Sequence, residues 1–172
     1  MSGLRRYVAA KRTAIKARHA AISAAETHVP VQLIAHAEAA GRSGVRRIRI
    51  RDFQILSDSP MNFAGHELGP TSPELLLGVL GSCIVHTYIV QAAMLGIDLD
   101  GVVVEVTADI DLRAGHPDFE GVPAAPSNIQ YTAHVAADVE NLDELNGNVR
   151  RNCPVMNLLE QKNTIRGAVE RL

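Results

Sequence analysis

A chain of 172 residues is long enough to bury one substantial core without disulfide staples. A hydrophobic share of 47%, a charged share of 21% and a net charge of -2 exclude a disordered chain and a protein wrapped in a basic field for nucleic acid. The charge is uneven, because residues 1–28 carry Arg5, Arg6, Lys11, Arg12, Lys16 and Arg18 against Glu26 alone, leaving 11 basic and 18 acidic residues elsewhere.

That imbalance divides the chain into a basic N-terminal arm, 1–28, and a domain over 29–172. Leu4–Ala25 reads as a helix, with Tyr7, Val8, Ile15 and Ile22 among its cations. An Arg-rich, acid-poor helix also has the composition of an organellar transit peptide, but a solvated or partner-packing helix is the expectation. No apolar stretch of secretory type precedes a cleavage site, so an intracellular, cytoplasmic protein is expected. Only two cysteines occur, Cys83 and Cys153, too few for a thiolate zinc cage and not a structural disulfide framework in a reducing compartment.

After the arm, Val31–Ala37 alternates with period two and predicts a strand, closed by the turn signal Gly41-Arg42-Ser43-Gly44. Its hairpin partner runs from Val45 to about Ile55, with a slip of phase at Arg51-Asp52 that suggests a bulge. Ser57–Thr71 has no period and is rich in Gly, Pro, Ser and Asn, which predicts a long ordered loop.

Leu75–Ile97 contains no charged residue and is long enough to span a bilayer. Thr71 or Ser72 caps this helix, Pro73 fits its first turn, Glu74 suits its dipole and Gly96 ends it. Its place between amphipathic strands, and its Gly78, Gly81, Ser82, His86 and Gln91, make it a core or dimer-centre helix rather than a membrane span. Val102–Leu112 and Ile129–Val139 alternate cleanly and predict half-buried strands joined by a long polar connection. Asn141–Arg151 and Val155–Gln161 read as helices interrupted by Asn152-Cys153-Pro154, and Thr164–Val169 as a last strand. Hairpin rather than βαβ spacing gives an α+β class with antiparallel sheets.

By position, Cys83 is a buried hydrophobe in the helical stripe of Leu76, Leu80, Thr87, Val90 and Met94, inert unless a cation or hydrogen-bond donors lower its pKa. Cys153 stands at the start of a helix, where orphan N–H groups favour a thiolate. His86, one turn past Cys83, reads as a satisfied core histidine; with no second ligand pair a metal is not expected. Glu74 either stabilises a helix N-terminus or holds an arginine over the thiol.

PELLLGVLGSCIVHTYIVQAAMLGIDLDGVVVEVTADIDL, preceded by FAGHELGPTSPE and followed by NCPVMNLL, resembles the OsmC/Ohr family of thiol peroxidases over about residues 29–170. The resemblance implies an OsmC-like fold: an intertwined α+β homodimer, antiparallel sheets wrapped around long central helices, two active sites built from both chains and no cofactor. It further implies that Cys83 is peroxidatic and that Cys153 resolves it. Gly41-Arg42-Ser43-Gly44 resembles the turn whose arginine stabilises the thiolate in the Ohr branch, and Glu74 resembles the glutamate that orients it. Glu74 lies one residue closer to its cysteine than in that branch, and Arg46, Arg47, Arg49 and Arg51 compete with Arg42, so the chain looks nearer the general OsmC-like branch.

The expected activity is thiol-dependent reduction of organic hydroperoxides, with hydrogen peroxide as a lesser substrate. Cys83 becomes a sulfenic acid, Cys153 condenses with it, and an external dithiol reduces the bridge. Leu76, Leu80 and Met94 offer an apolar wall for an organic tail. A non-catalytic dimer that binds a small apolar ligand is the alternative; a zinc or Cys-His hydrolase lacks ligands.

Overall fold

The computed structural model describes residues 3–171, and its elements follow from local rules almost everywhere a pattern is strong. Helix α1 spans Gly3–Ala24 and buries Val8. Arg5 pairs with Asp98 and Asp100, and Arg12 Nε donates to the Ala93 carbonyl at 3.0 Å, so the first half of the arm is docked.

Strands β1 (His36–Ala39), β2 (Arg46–Ile50) and β3 (Phe53–Ser57) form an antiparallel sheet in that order. The first differs from the expected Val31–Ala37. In its register His36 faces Arg49, and β2 ends one residue later at Ile50, so residues before 35 have no backbone to pair with. Val31 and Leu33 are consequently exposed. The slip at Arg51-Asp52 is also not a bulge. Ile50 pairs with Phe53, making these two residues the loop of a tight hairpin, with Arg51 held at φ 55.

Between β3 and the next helix, the loop folds over a short 3₁₀ turn, Met61–Phe63, and around the fully buried Asp58. Its carboxylate accepts from the N–H groups of Ser59 (2.8 Å), His66 (2.9 Å) and Leu68 (3.2 Å). Arg46 ties the same segment together through Ser57, Ser59 and the Asp58 carbonyl. Gly65 is obligatory, since a Cβ there would stand 1.7 Å from the Ser59 carbonyl oxygen.

Helix α2, Ser72–Leu95, is long and apolar enough to cross a membrane, yet it buries one side within the chain: Leu80, Ile84, Thr87, Tyr88, Gln91, Ala92 and Ala93. Val79 and Met94 remain exposed. Strands β4 (Leu99–Asp109) and β5 (Ser127–Ala137) form a two-stranded sheet. Asp138 N–H donates to Asp98 O at one end and Asn128 to Asp109 at the other, so they run antiparallel. From Val102 in β4 and from Tyr131 in β5, positions alternate between half-buried and exposed, whereas Ile129 at the start of β5 is exposed. β4 stops before Leu112, where Asp111 caps a turn by accepting from Arg113 N–H at 3.0 Å.

Helices α3 (Asp143–Asn152) and α4 (Pro154–Glu160) meet at Cys153. The expected strand at Thr164–Val169 is irregular chain, with Ile165 and Val169 almost wholly exposed and, among the described residues, no strand paired with it. Two compact units emerge: the N-terminal residues to Ile15 with Leu80–Val104 and Ala133 onward, and Lys16–Val79 with Glu105–Thr132.

Candidate active site

Both cysteines belong to the first of these units. The chain is extended at Cys153 (φ -78, ψ 109), because Pro154 opens α4 and disfavours a helical residue before it. Cys153 is fully buried, and its N–H donates to Val149 O at 2.9 Å. Cys83 lies mid-way along α2, half-buried, with its sulfur against the Cys153 thiol and the Val155 N–H in the first turn of α4. Seventy residues of sequence separate two thiols that the fold brings face to face.

Burial pushes the Cys83 thiol above its ordinary range. The Val155 N–H opposes that rise, Cys153 adds to it, and the Thr87 hydroxyl opposes it more weakly. Thr87 Oγ1 also donates to the Cys83 carbonyl at 2.8 Å. None of these groups is a cation.

Glu74 is occupied locally. Its Oε2 accepts from the Thr71 N–H and from the Thr71 hydroxyl, both at 2.7 Å, forming the capping box of α2 and drawing its carboxyl below the usual range. Arg42 sits exposed in the turn between β1 and β2, beside Gly41 at φ 68. His86, expected in the core, is on the exposed side of α2, because the packed stripe runs through Ile84, Thr87 and Tyr88 instead. Among the described residues no three His, Cys, Asp or Glu side chains gather as a metal site would require.

Sequence reasoning missed the side chains that hold this arrangement. Tyr88, nearly fully buried, donates from its hydroxyl to Asn146 Oδ1 at 2.9 Å and so ties α2 to α3. Asn157 caps the junction on which Cys153 stands, donating to the Cys153 carbonyl at 2.8 Å. A tyrosine five residues past a cysteine carried no signal of this; an asparagine four residues past Cys153 in a short helix did, since that spacing returns its amide to the helix start.

A long apolar helix, antiparallel strands and two free cysteines, one on α2 and one at the α3–α4 break, define an α+β protein. The profile of the OsmC-like protein family matches residues 65–166, and the chain belongs to that family. An OsmC-like protein of Mycoplasma pneumoniae has a similar structure, with TM-score 0.64 at 18% identity over 77% of this chain and 89% of that one. An OsmC-like protein of Vibrio cholerae superposes with TM-score 0.61 at 11% identity, over 77% and 96%. A third, described as an organic hydroperoxide resistance protein OsmC and predicted redox protein, is from Legionella pneumophila, with TM-score 0.54, 16% identity, and coverage of 77% and 91%. At these identities the likeness establishes the fold. No curated protein matches the chain.

Proposed function

We propose that the protein is a cysteine-based peroxidase that reduces organic hydroperoxides in the cytoplasm as part of oxidative stress defence. The observation that carries this reading is the pairing of a half-exposed Cys83 with a buried Cys153 across the first turn of α4. A relative's description as an organic hydroperoxide resistance protein supports the substrate class.

The Cys83 thiolate attacks the distal oxygen of ROOH, the O–O bond breaks, and the alkoxide leaves with a proton as alcohol. Cys83 is then a sulfenic acid. The Cys153 thiolate attacks that sulfur, hydroxide departs and is protonated to water, and a disulfide forms. An external dithiol reduces the bridge in two exchange steps and is itself oxidised to a disulfide.

Raising the thiolate fraction of Cys83 needs a cation, and the reading assigns it to a homodimer in which Arg42, oriented by Glu74, approaches the thiol. Val79 and Met94, exposed on α2, are apolar side chains that such an assembly would cover. The upward shift of the Cys83 thiol, with no cation among the groups that act on it, favours the second reading, a non-catalytic dimer that binds a small apolar ligand.

Hydroperoxide consumption with a dithiol reductant separates the two. Cys83→Ser is expected to lose turnover by about a thousandfold or more. Equal turnover in wild type and variant overturns the peroxidase reading. Mass spectrometry after one equivalent of peroxide is expected to find a Cys83–Cys153 bridge; a stable sulfinic acid on Cys83 in its place removes Cys153 as resolver.

A further inference from the structure

The junction of α3 and α4 leaves a helix-end imbalance. In a continuous helix the carbonyls of Arg150 and Arg151 accept from the N–H groups of residues 154 and 155. Residue 154 is Pro154, which has no N–H. Val155 does have one, but it is directed to the Cys83 sulfur rather than to the Arg151 carbonyl.

The Asn157 side chain covers the vacancy. Its Nδ2 lies 3.4 Å from Arg150 O, 3.3 Å from Arg151 O and 2.8 Å from Cys153 O. Its backbone N–H donates to the same Cys153 carbonyl at 3.0 Å. One amide therefore stands in for the donor that proline removes and for the donor that the thiol takes.

We propose that Asn157 is a positioning residue for the cysteine pair: it satisfies the α3 carbonyls that Pro154 and Val155 do not serve, and thereby holds the Val155 N–H on Cys83. It acts through the backbone rather than on substrate. The proposal rests on the reading of Cys83 as the reacting thiol only for its purpose, since the geometry stands without peroxide chemistry. Asn157 has a role that shape alone does not explain, because an apolar side chain of similar size fills the same space without a donor.

The pH dependence of iodoacetamide alkylation of Cys83, measured in a Cys153→Ser background so that one thiol reports, tests this. Adding Asn157→Leu is expected to move the midpoint up by roughly 0.5–1 pH unit, as loss of a donor to the thiolate requires. Asn157→Gln, which keeps the donors, is expected to recover part of the shift. A lower melting temperature with an unchanged midpoint shows a purely structural cap and overturns the proposal.

If Asn157→Leu does not fold, the 15N-labelled wild type decides: the Val155 amide resonance is expected to follow the Cys83 titration, and an amide that ignores it overturns the proposal. Neither readout uses peroxide. If the expected results are obtained but the wild type consumes no hydroperoxide, the peroxidase reading is overturned and the positioning role stands.

Discussion

Asp58 and Cys83 are two acidic groups taken out of water in different parts of the chain, and they shift in opposite directions. The Asp58 carboxyl is drawn below its ordinary range, chiefly by the Ser59 N–H, with burial opposing and the His66 and Leu68 N–H groups adding. Burial dominates at Cys83, where the chain offers one backbone N–H and a weakly placed hydroxyl. The contrast teaches that the balance of donor against desolvation decides the sign: at Asp58 the Ser59 N–H by itself outweighs burial, whereas at Cys83 burial outweighs the Val155 N–H. The loop built on Asp58 thus carries its donors within the chain, whereas no cation is among the groups that act on Cys83.

The strongest way to break the Asp58 side of this contrast is to move the backbone that aims the amides. Gly65→Ala forces its Cβ into the Ser59 carbonyl and is expected to cost about 3 kcal/mol or more by urea unfolding, at the upper end of overpacking effects. Asp58→Asn puts a donor where the three N–H groups need an acceptor, and lower stability at pH 7 is the expected result.

The pH dependence follows from the lowered carboxyl. A group whose folded pKa lies below its unfolded value stabilises the fold above the unfolded value and loses that contribution as pH falls through the folded one. Wild type is therefore expected to weaken below about pH 4, the ordinary carboxylate range. The Asn variant, starting lower, has a flatter acid limb; identical limbs in the two show that the Asp58 network is not what holds the loop.

On the thiol side, Tyr88→Phe removes the hydroxyl that ties α2 to α3 and leaves Asn146 Oδ1 without it. The expected loss is about 1 kcal/mol by thermal or chemical unfolding, with slower formation of the Cys83–Cys153 bridge under mild oxidant. Unchanged bridging would mean that the helices hold the thiols together without this bond. Asp111→Asn is the smallest perturbation. Its carboxyl is lowered to about 2 by the Arg113 guanidinium at the surface, so the variant is expected to lose a small contribution to stability above about pH 4, and its difference from wild type to close as pH falls from about 4 to about 2.

Much of this was legible in the order of residues. The capping box of α2 is readable as Thr71-Ser72-Pro73-Glu74, and the half-buried faces of β4 and β5 as strict alternation. The break at Cys153 follows from the proline after it. Asp58 was not legible: an aspartate in a polar loop looks solvent-exposed, and only the closing of the loop over it makes it a hub.

The sequence by itself therefore determined the elements whose causes are local: helix caps, strand faces and the proline stop. Everything that depended on a distant backbone was decided by the tertiary structure. Val31–Ile34 and Thr164–Val169 have strand composition but no strand beside them, and a strand without a neighbour leaves its N–H and C=O groups unpaired. The same reason applies at the cysteines. No local pattern shows that the Val155 amide, freed from its helix, points at a sulfur brought from seventy residues earlier in the chain.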